Sequence, residues 1–193
     1  MNNLIDDSCF DIFPELESER LIFRAFDISD APDIYMIRSN AEVMEYMDSD
    51  WHNSPTDSEN FISENIESYK NKEKLFWAII EKSSNQFIGD FSYWRINRKD
   101  SRAEIGYTLK PEFWGKAYMK EAMRELITYG FKKLKLHSIE ANVNPKNENS
   151  KKVLKYLGFK KEAYFRENYF YNGVFLDSEI YCLLESDFDE TLK

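Results

Sequence analysis

"AEIGYTLKPEFWGKAYMKEA", residues 103 to 122, reads as a strand that passes through a proline and an aromatic pair into an amphipathic helix. The helix is expected over 115–134, about five turns, because Met119, Met123, Leu126, Ile127, Phe131 and Leu134 fall on one side of it. Gly115 stands at its mouth in a chain with only 6 glycines. Glycine is a poor helix starter, so two readings are open. A residue without a side chain lets an anion approach the unpaired N–H groups at the positive end of the helix. Alternatively, Gly115 only relieves crowding in an ordinary strand-to-helix turn. The turn is neither a Walker loop nor a dinucleotide fingerprint, since "GK" here lacks an upstream glycine and a following Ser or Thr.

Upstream, "KLFWAIIEK" (74–82) and "QFIGDFSYWRIN" (86–97) precede "RAEIGYTLK" (102–110) as consecutive strands, with turns at 83–85 and 98–101. A further strand, "ERLIFRAF" (19–26), comes before two helices. In the first, Ser29 or Asp27 can cap and Pro32 sits in the first turn; in the second, Thr56 and Glu59 have capping-box spacing. Phe61, Ile62, Ile66 and Tyr69 are expected to form the second helix's buried stripe. Downstream, "HSIEANVNP" (137–145) is a strand, and "NENSKKVLKYLGF" a short helix with Asn147 near its start and Gly158 at its left-handed cap. The chain closes on two strands joined at Asn172-Gly173, a strong hairpin signal. Antiparallel neighbours around one βαβ crossover predict an α+β class: a mixed central sheet of about seven strands with four helices.

The 193 residues suffice for a single domain, expected over 16–190 behind an irregular arm at 1–15. A hydrophobic content of 42% and an aromatic content of 16% exclude a disordered chain. The strongest apolar run, "LFWAII" (75–80), is too short to span a bilayer, and the first nineteen residues lack Lys and Arg, so a cytoplasmic protein with no membrane partner is expected. A net charge of −9 argues against nucleic acid as a partner and suits a cationic acceptor, or simply solubility. Cys9, Cys182, His52 and His137 show no metal spacing, so free thiols and no metal site are expected.

Four segments taken in order, "ERLIFRAF", "AEIGYTLKPEFWGKAYMKEA", "ANVNPKNENSKKVLKYLGF" and the terminal hairpin, resemble the GNAT superfamily of acyl-CoA-dependent N-acetyltransferases. Within it the likeness is to the ribosomal-protein N-terminal acetyltransferase (RimJ/RimL-like) branch. The resemblance spans most of residues 19–185. It implies a GNAT fold splayed between the fourth and fifth strands, with acetyl-CoA (coenzyme A) lying in the splay. The implied diphosphate ligands are backbone N–H groups of Trp114, Gly115, Lys116, Ala117, Tyr118 and Met119. The main chain at Tyr107, Thr108 and Leu109 would pair with pantetheine, and Asn144, Asn147 and Lys152 would add polar contacts. Ala117 departs from the usual second glycine, keeping helical geometry but adding a methyl beside the phosphate path. Leu154 stands where many relatives carry a tyrosine acid.

Acetyl transfer to an amine needs a neutral nucleophile, a polarised thioester and a proton for the thiolate. The family match makes Glu104 the candidate base; its plainer reading is a strand carboxylate facing solvent or paired with Arg102. Ser150, three residues after Asn147, is the candidate acid, or simply a first-turn serine capping backbone. Trp51, His52 and Tyr169 are candidates for acceptor binding, against a plain loop with one buried tryptophan and a plain hairpin. The acceptor is an amine-bearing peptide or small molecule: a protein N-terminal amine first, a polyamine or aminoglycoside-like amine second. A non-catalytic acyl-CoA-binding module is the reading from another class. The protein is expected to be a monomer or homodimer.

Overall fold

The computed structural model describes residues 5–191, so residues 1–4 of the expected arm lie outside the described residues. Among the described residues eight strands form one sheet in the order β1-β2-β3-β4-β5-β6-β8-β7. In chain order they are β1 (Leu16–Glu17), β2 (Leu21–Ala25), β3 (Leu75–Glu81), β4 (Gln86–Asn97), β5 (Arg102–Leu109), β6 (Ser138–Val143), β7 (Lys160–Tyr171) and β8 (Val174–Leu184). The helices are α1 (Ala31–Arg38), α2 (Ala41–Met44), α3 (Pro55–Lys70), α4 (Tyr118–Lys132) and α5 (Glu148–Tyr156). The two-residue strand β1 and the single turn α2 are additions to the expected order. Both are too short for a period to show in sequence.

Among the described residues only β5 and β6 run parallel, joined through α4, and their register covers Arg102↔Ser138, Ala103↔Ile139 and Glu104↔Glu140. Beyond Glu104 the two strands part, which leaves Ile105–Leu109 with β4 on one side and no strand on the other. The separation is the splay expected from the resemblance.

Two apolar layers hold the sheet. On one face Met119, Met123, Leu126, Ile127 and Phe131 of α4 pack against Trp77, Phe91, Tyr93 and Ile105. Across the sheet, Ile34 and Ile37 of α1 and Ile62 of α3 cover Phe76, Ala78 and Phe87. The expected stripe of α3 is narrower than its sequence implies: Ile62 is fully buried, whereas Ile66 is exposed. The α3 cap also moves. Ser54 and Asp57 form the capping box with Pro55 in the first turn, in place of Thr56 and Glu59, because Pro55 pre-sets the helical φ one position earlier. The hairpin turn is as expected, with Asn172 and Gly173 at φ 47° and 83°.

Candidate active site

The strand β5 leads into a 3-10 turn at Pro111–Phe113, and the chain then bends sharply before α4. Gly115 has φ 73°, and Ala117, the residue before the helix, is left-handed at φ 62°, ψ 11° with no side-chain cap. A Cβ at position 115 would meet nothing within 4 Å. Glycine is therefore favoured there by its positive φ rather than by crowding. Ala117 does not keep helical geometry, as its sequence context implies; it occupies the conformation that makes glycine usual at that place.

The consequence is a concave run of donors. Among the described residues, the amides of Gly115, Lys116, Ala117, Tyr118, Met119 and Lys120 have no acceptor, and the first bond back to the turn is Glu121 N–H to Ala117 O at 3.1 Å. Trp114, by contrast, gives its amide to Pro111 O at 3.0 Å, so it does not share the ligand role expected of it. Its indole Nε1 donates to Leu109 O at 2.7 Å and ties the turn to the end of β5. Free amides at a helix mouth, with Gly115 and Ala117 at positive φ, can form an anion nest.

Glu121 steadies the nest from inside the helix. Its carboxylate accepts from Ser18 Oγ (2.7 Å), Arg20 N (2.7 Å) and Arg20 Nε (2.6 Å). Burial pushes its pKa up, but these bonds outweigh burial and hold it below the usual carboxylate value. Nothing in the local sequence announces this, since Ser18 and Arg20 lie some hundred residues away.

Ala117 carries a testable cost. A non-glycine residue in the left-handed region loses about 1 kcal/mol. Ala117→Gly is expected to raise the thermal midpoint by about 2–4 °C, and to leave affinity for acetyl-CoA at least as high; differential scanning fluorimetry and calorimetry read both.

Glu104 lies at the last β5 residue paired with β6 and is buried. Its Oε2 accepts from Arg95 Nη1 at 2.9 Å, while Arg102 goes instead to Glu140 at 2.8 Å. Arg95 sits on a β4 irregularity, at φ 47°, with its guanidinium 4.2 Å over Trp94. Burial raises the Glu104 pKa; the Arg95 charge opposes this and Glu140 adds to it. Neither plain reading of Glu104 holds, for it faces neither solvent nor Arg102.

On the opposite face, Tyr107 Oη and Ser150 Oγ are 2.6 Å apart across the splay, joining β5 to the first turn of α5. Burial lifts the Tyr107 hydroxyl to about 12, so it stays protonated near neutrality. Tyr107 enters the expected site through its main chain; the structure adds its side chain. Asn147 caps α5, accepting from Ser150 N at 3.0 Å, and Asn144 accepts from Lys146 N at 3.0 Å. Lys152 is exposed, and Thr108 Oγ1 donates to the buried Asp90 at 2.5 Å.

Two clefts open between the α2–α3 connection and the hairpin. The larger, about 680 Å³, is lined by Arg38, Asp50, Trp51, His52, Phe61 and Tyr171, among others. The smaller, about 350 Å³, includes Asp48, Trp51, Asn144 and Tyr171. Trp51 is 40% exposed, whereas His52 is buried with Nδ1 at 2.8 Å from Ser58 Oγ, which reverses the plain expectation of a buried tryptophan. Burial and the Arg38 charge lower the His52 pKa. Tyr169 lines neither cleft; its hydroxyl donates to Asp48 at 2.6 Å, and that of Tyr171 to Ser49 O at 2.6 Å, so the hairpin is fastened to the loop. Tyr171, two residues on from Tyr169 in the same strand, lines both clefts and was not among the acceptor candidates, nor was Arg38.

The acetyltransferase (GNAT) domain family matches residues 20–160. An uncharacterized N-acetyltransferase of Bacillus subtilis, YoaA, is 32% identical over 90% of this chain and 98% of its own length. The spermidine N(1)-acetyltransferase of Vibrio cholerae is 26% identical over 89% of this chain and 96% of its own. Among solved structures, a ribosomal-protein-S5-alanine acetyltransferase from Vibrio fischeri superposes with a TM-score of 0.79 at 28% identity, covering 91% of this chain and 99% of that one.

Proposed function

The chain belongs to the GNAT acetyltransferase family and is an acetyl-CoA-dependent N-acetyltransferase, and from that premise we propose that its acceptor is the α-amino group of a peptide or protein N-terminus. The observation that carries the proposal is Glu104, one buried carboxylate with a raised pKa at the point where β5 and β6 part. An α-amine has an unperturbed pKa about 2.5 units below that of lysine, or roughly 3.4 kcal/mol less to deprotonate. A single carboxylate base meets that lesser demand. The likeness to the S5-alanine acetyltransferase supports the ribosomal-protein branch.

Bound acetyl-CoA supplies an acetyl thioester whose carbonyl is attacked directly by the amine. The amides from Gly115 to Lys120 and the α4 dipole hold and neutralise the diphosphate. The unpartnered β5 edge aligns the pantetheine arm, with the Trp114 indole bracing its end. Arg95 orients the carboxylate through Oε2, leaving Glu104 Oε1 without a described partner and able to take the ammonium proton directly or through water. The Tyr107–Ser150 pair is the proton source for the departing sulfur, in place of the tyrosine that Leu154 replaces.

The acidic Asp50, Asp57 and Glu64 along the larger cleft, with the spermidine acetyltransferase likeness, favour a polyamine as the second reading. Coenzyme A release should be compared for peptides with a free N-terminus and no lysine, N-terminally blocked peptides with free lysine, and spermidine. The first class is expected to turn over fastest. Turnover of spermidine alone overturns the α-amine reading.

A further inference from the structure

Arg38, the last residue of α1, lies on the floor of the larger cleft and is only 7% exposed. Its guanidinium stacks 3.9 Å over the Phe61 ring. One hydrogen bond holds it, Nη1 to Ser49 Oγ at 3.3 Å; Nε is buried without a partner, and no other donor reaches a described residue. Arg38 makes no ion pair among the described residues. The nearby charge of Asp90 acts on it, but that carboxylate is already engaged by Thr108.

Arg24 shows how this fold completes an arginine that serves structure alone. There Nη1 and Nη2 meet the two oxygens of Asp30 at 2.7 Å each, and Nη1 also reaches Ala25 O at 2.9 Å. A buried guanidinium with one long bond out of five donors is unfavourable unless something else fills its fork. The cleft that Arg38 lines gives such a group a way in.

We propose that Arg38 is the anchor for a carboxylate carried by the acceptor, so that the preferred acceptor bears an amine and a carboxylate together. The inference rests on the N-terminal α-amine reading and refines it. Placement in the fold supports it. The charge of Asp90 acts on Arg38, Asp90 is paired in register with Thr108, and Lys110 Nζ to Asp33 at 2.6 Å keeps α1 over this end of β5. Thr108 and Glu104 share a sheet face four residues apart, about 13 Å. An extended peptide covers that span with about four residues. With its amine at Glu104, its carboxylate near Arg38 is either an acidic side chain three or four residues in or the C-terminus of a tetrapeptide.

The acids in the cleft do not undo this. Asp57 Oδ2 accepts the amides of Asn53 (2.8 Å) and Ser54 (2.9 Å), and Asp50 and Glu64 are exposed. A polyamine has no anionic group for the fork, and its charges meet a buried cation.

The test uses the full chain and lysine-free peptides in two arms. In one, C-terminally amidated hexapeptides carry Asp and Glu, or Asn and Gln, at positions three and four. In the other, a neutral tetrapeptide carries a free or an amidated C-terminus. In at least one arm the wild type is expected to show a KM about tenfold lower for the carboxylate form, and that arm identifies the source. Arg38→Gln should bring the ratio to about one and Arg38→Lys to an intermediate value, with the KM for acetyl-CoA unchanged. A purely structural arginine would leave the ratio unmoved. Equal wild-type KM values in both arms overturn the proposal, whether or not the variants fold. Peptide turnover without carboxylate preference sinks this inference alone, whereas polyamine turnover without peptide turnover sinks the α-amine reading with it.

Discussion

Glu104→Gln is expected to lower kcat for an amine acceptor by about 10²–10³-fold while leaving the dissociation constant for acetyl-CoA within about twofold of wild type. The substitution keeps the shape and one hydrogen bond to Arg95 but removes the lone pair that accepts the ammonium proton. Binding survives because the diphosphate nest lies on a different segment, at Gly115 to Lys120. The pH dependence carries its own sign. The folded-state pKa of Glu104 is raised, chiefly by burial, so its ionisation disfavours the fold. Its stability contribution is full below the unfolded carboxylate value and declines as pH rises through the folded one. Activity moves the opposite way and is lost as pH falls through that same value. Glu104→Gln should therefore melt no lower than wild type at pH 8 while being nearly inactive there. Coenzyme A release, calorimetry and melts at pH 5 and 8 measure the three quantities. Undiminished turnover in the variant would remove Glu104 as the base.

Gly115→Val is expected to weaken acetyl-CoA binding by about 30–100-fold with the fold retained. A β-branched residue at φ 73° is strained by about 2–3 kcal/mol, and the chain relieves it by leaving the left-handed region, which turns the neighbouring amides away from their common focus. The site is exposed and an added Cβ meets no atom within 4 Å, so the loss falls on the nest and not on packing. Calorimetry with acetyl-CoA and far-UV circular dichroism separate the two. Unchanged affinity would mean that the amides at this turn do not hold the diphosphate.

The elements legible in the sequence were those whose signals are local and redundant. The α4 stripe from Met119 to Phe131 is buried throughout, as is Leu134 just past the helix, and Asn172-Gly173 turns the hairpin as its residue types require. The three strands before α4 and the Asn147 cap on α5 read equally well. Ile66 was misread because periodicity locates a helix face without saying how wide its neighbour is. The plain alternative of a buried Trp51 fails because hydrophobicity alone does not fix burial; His52 is the one inside, its ring satisfied by Ser58 six residues on.

The candidate site divides along the same line. Glu104, Gly115 and Ser150 are candidates that the family resemblance or the local turn reading picks out within single segments. Arg38, Arg95, Glu121 and the Tyr107 hydroxyl are not, for each acts on a residue of another element: Phe61, Glu104, Arg20 and Ser150. The sequence by itself determined the longer strands and helices and their order, the hairpin and the glycine turn, since period, capping and permitted φ are properties of a few consecutive residues, whereas β1 and α2 are too short to show one. Only the tertiary structure decided which carboxylate is buried, which buried arginine has no ion pair among the described residues and where β5 parts from β6, because desolvation and ion pairing depend on groups that are distant along the chain and adjacent only after folding.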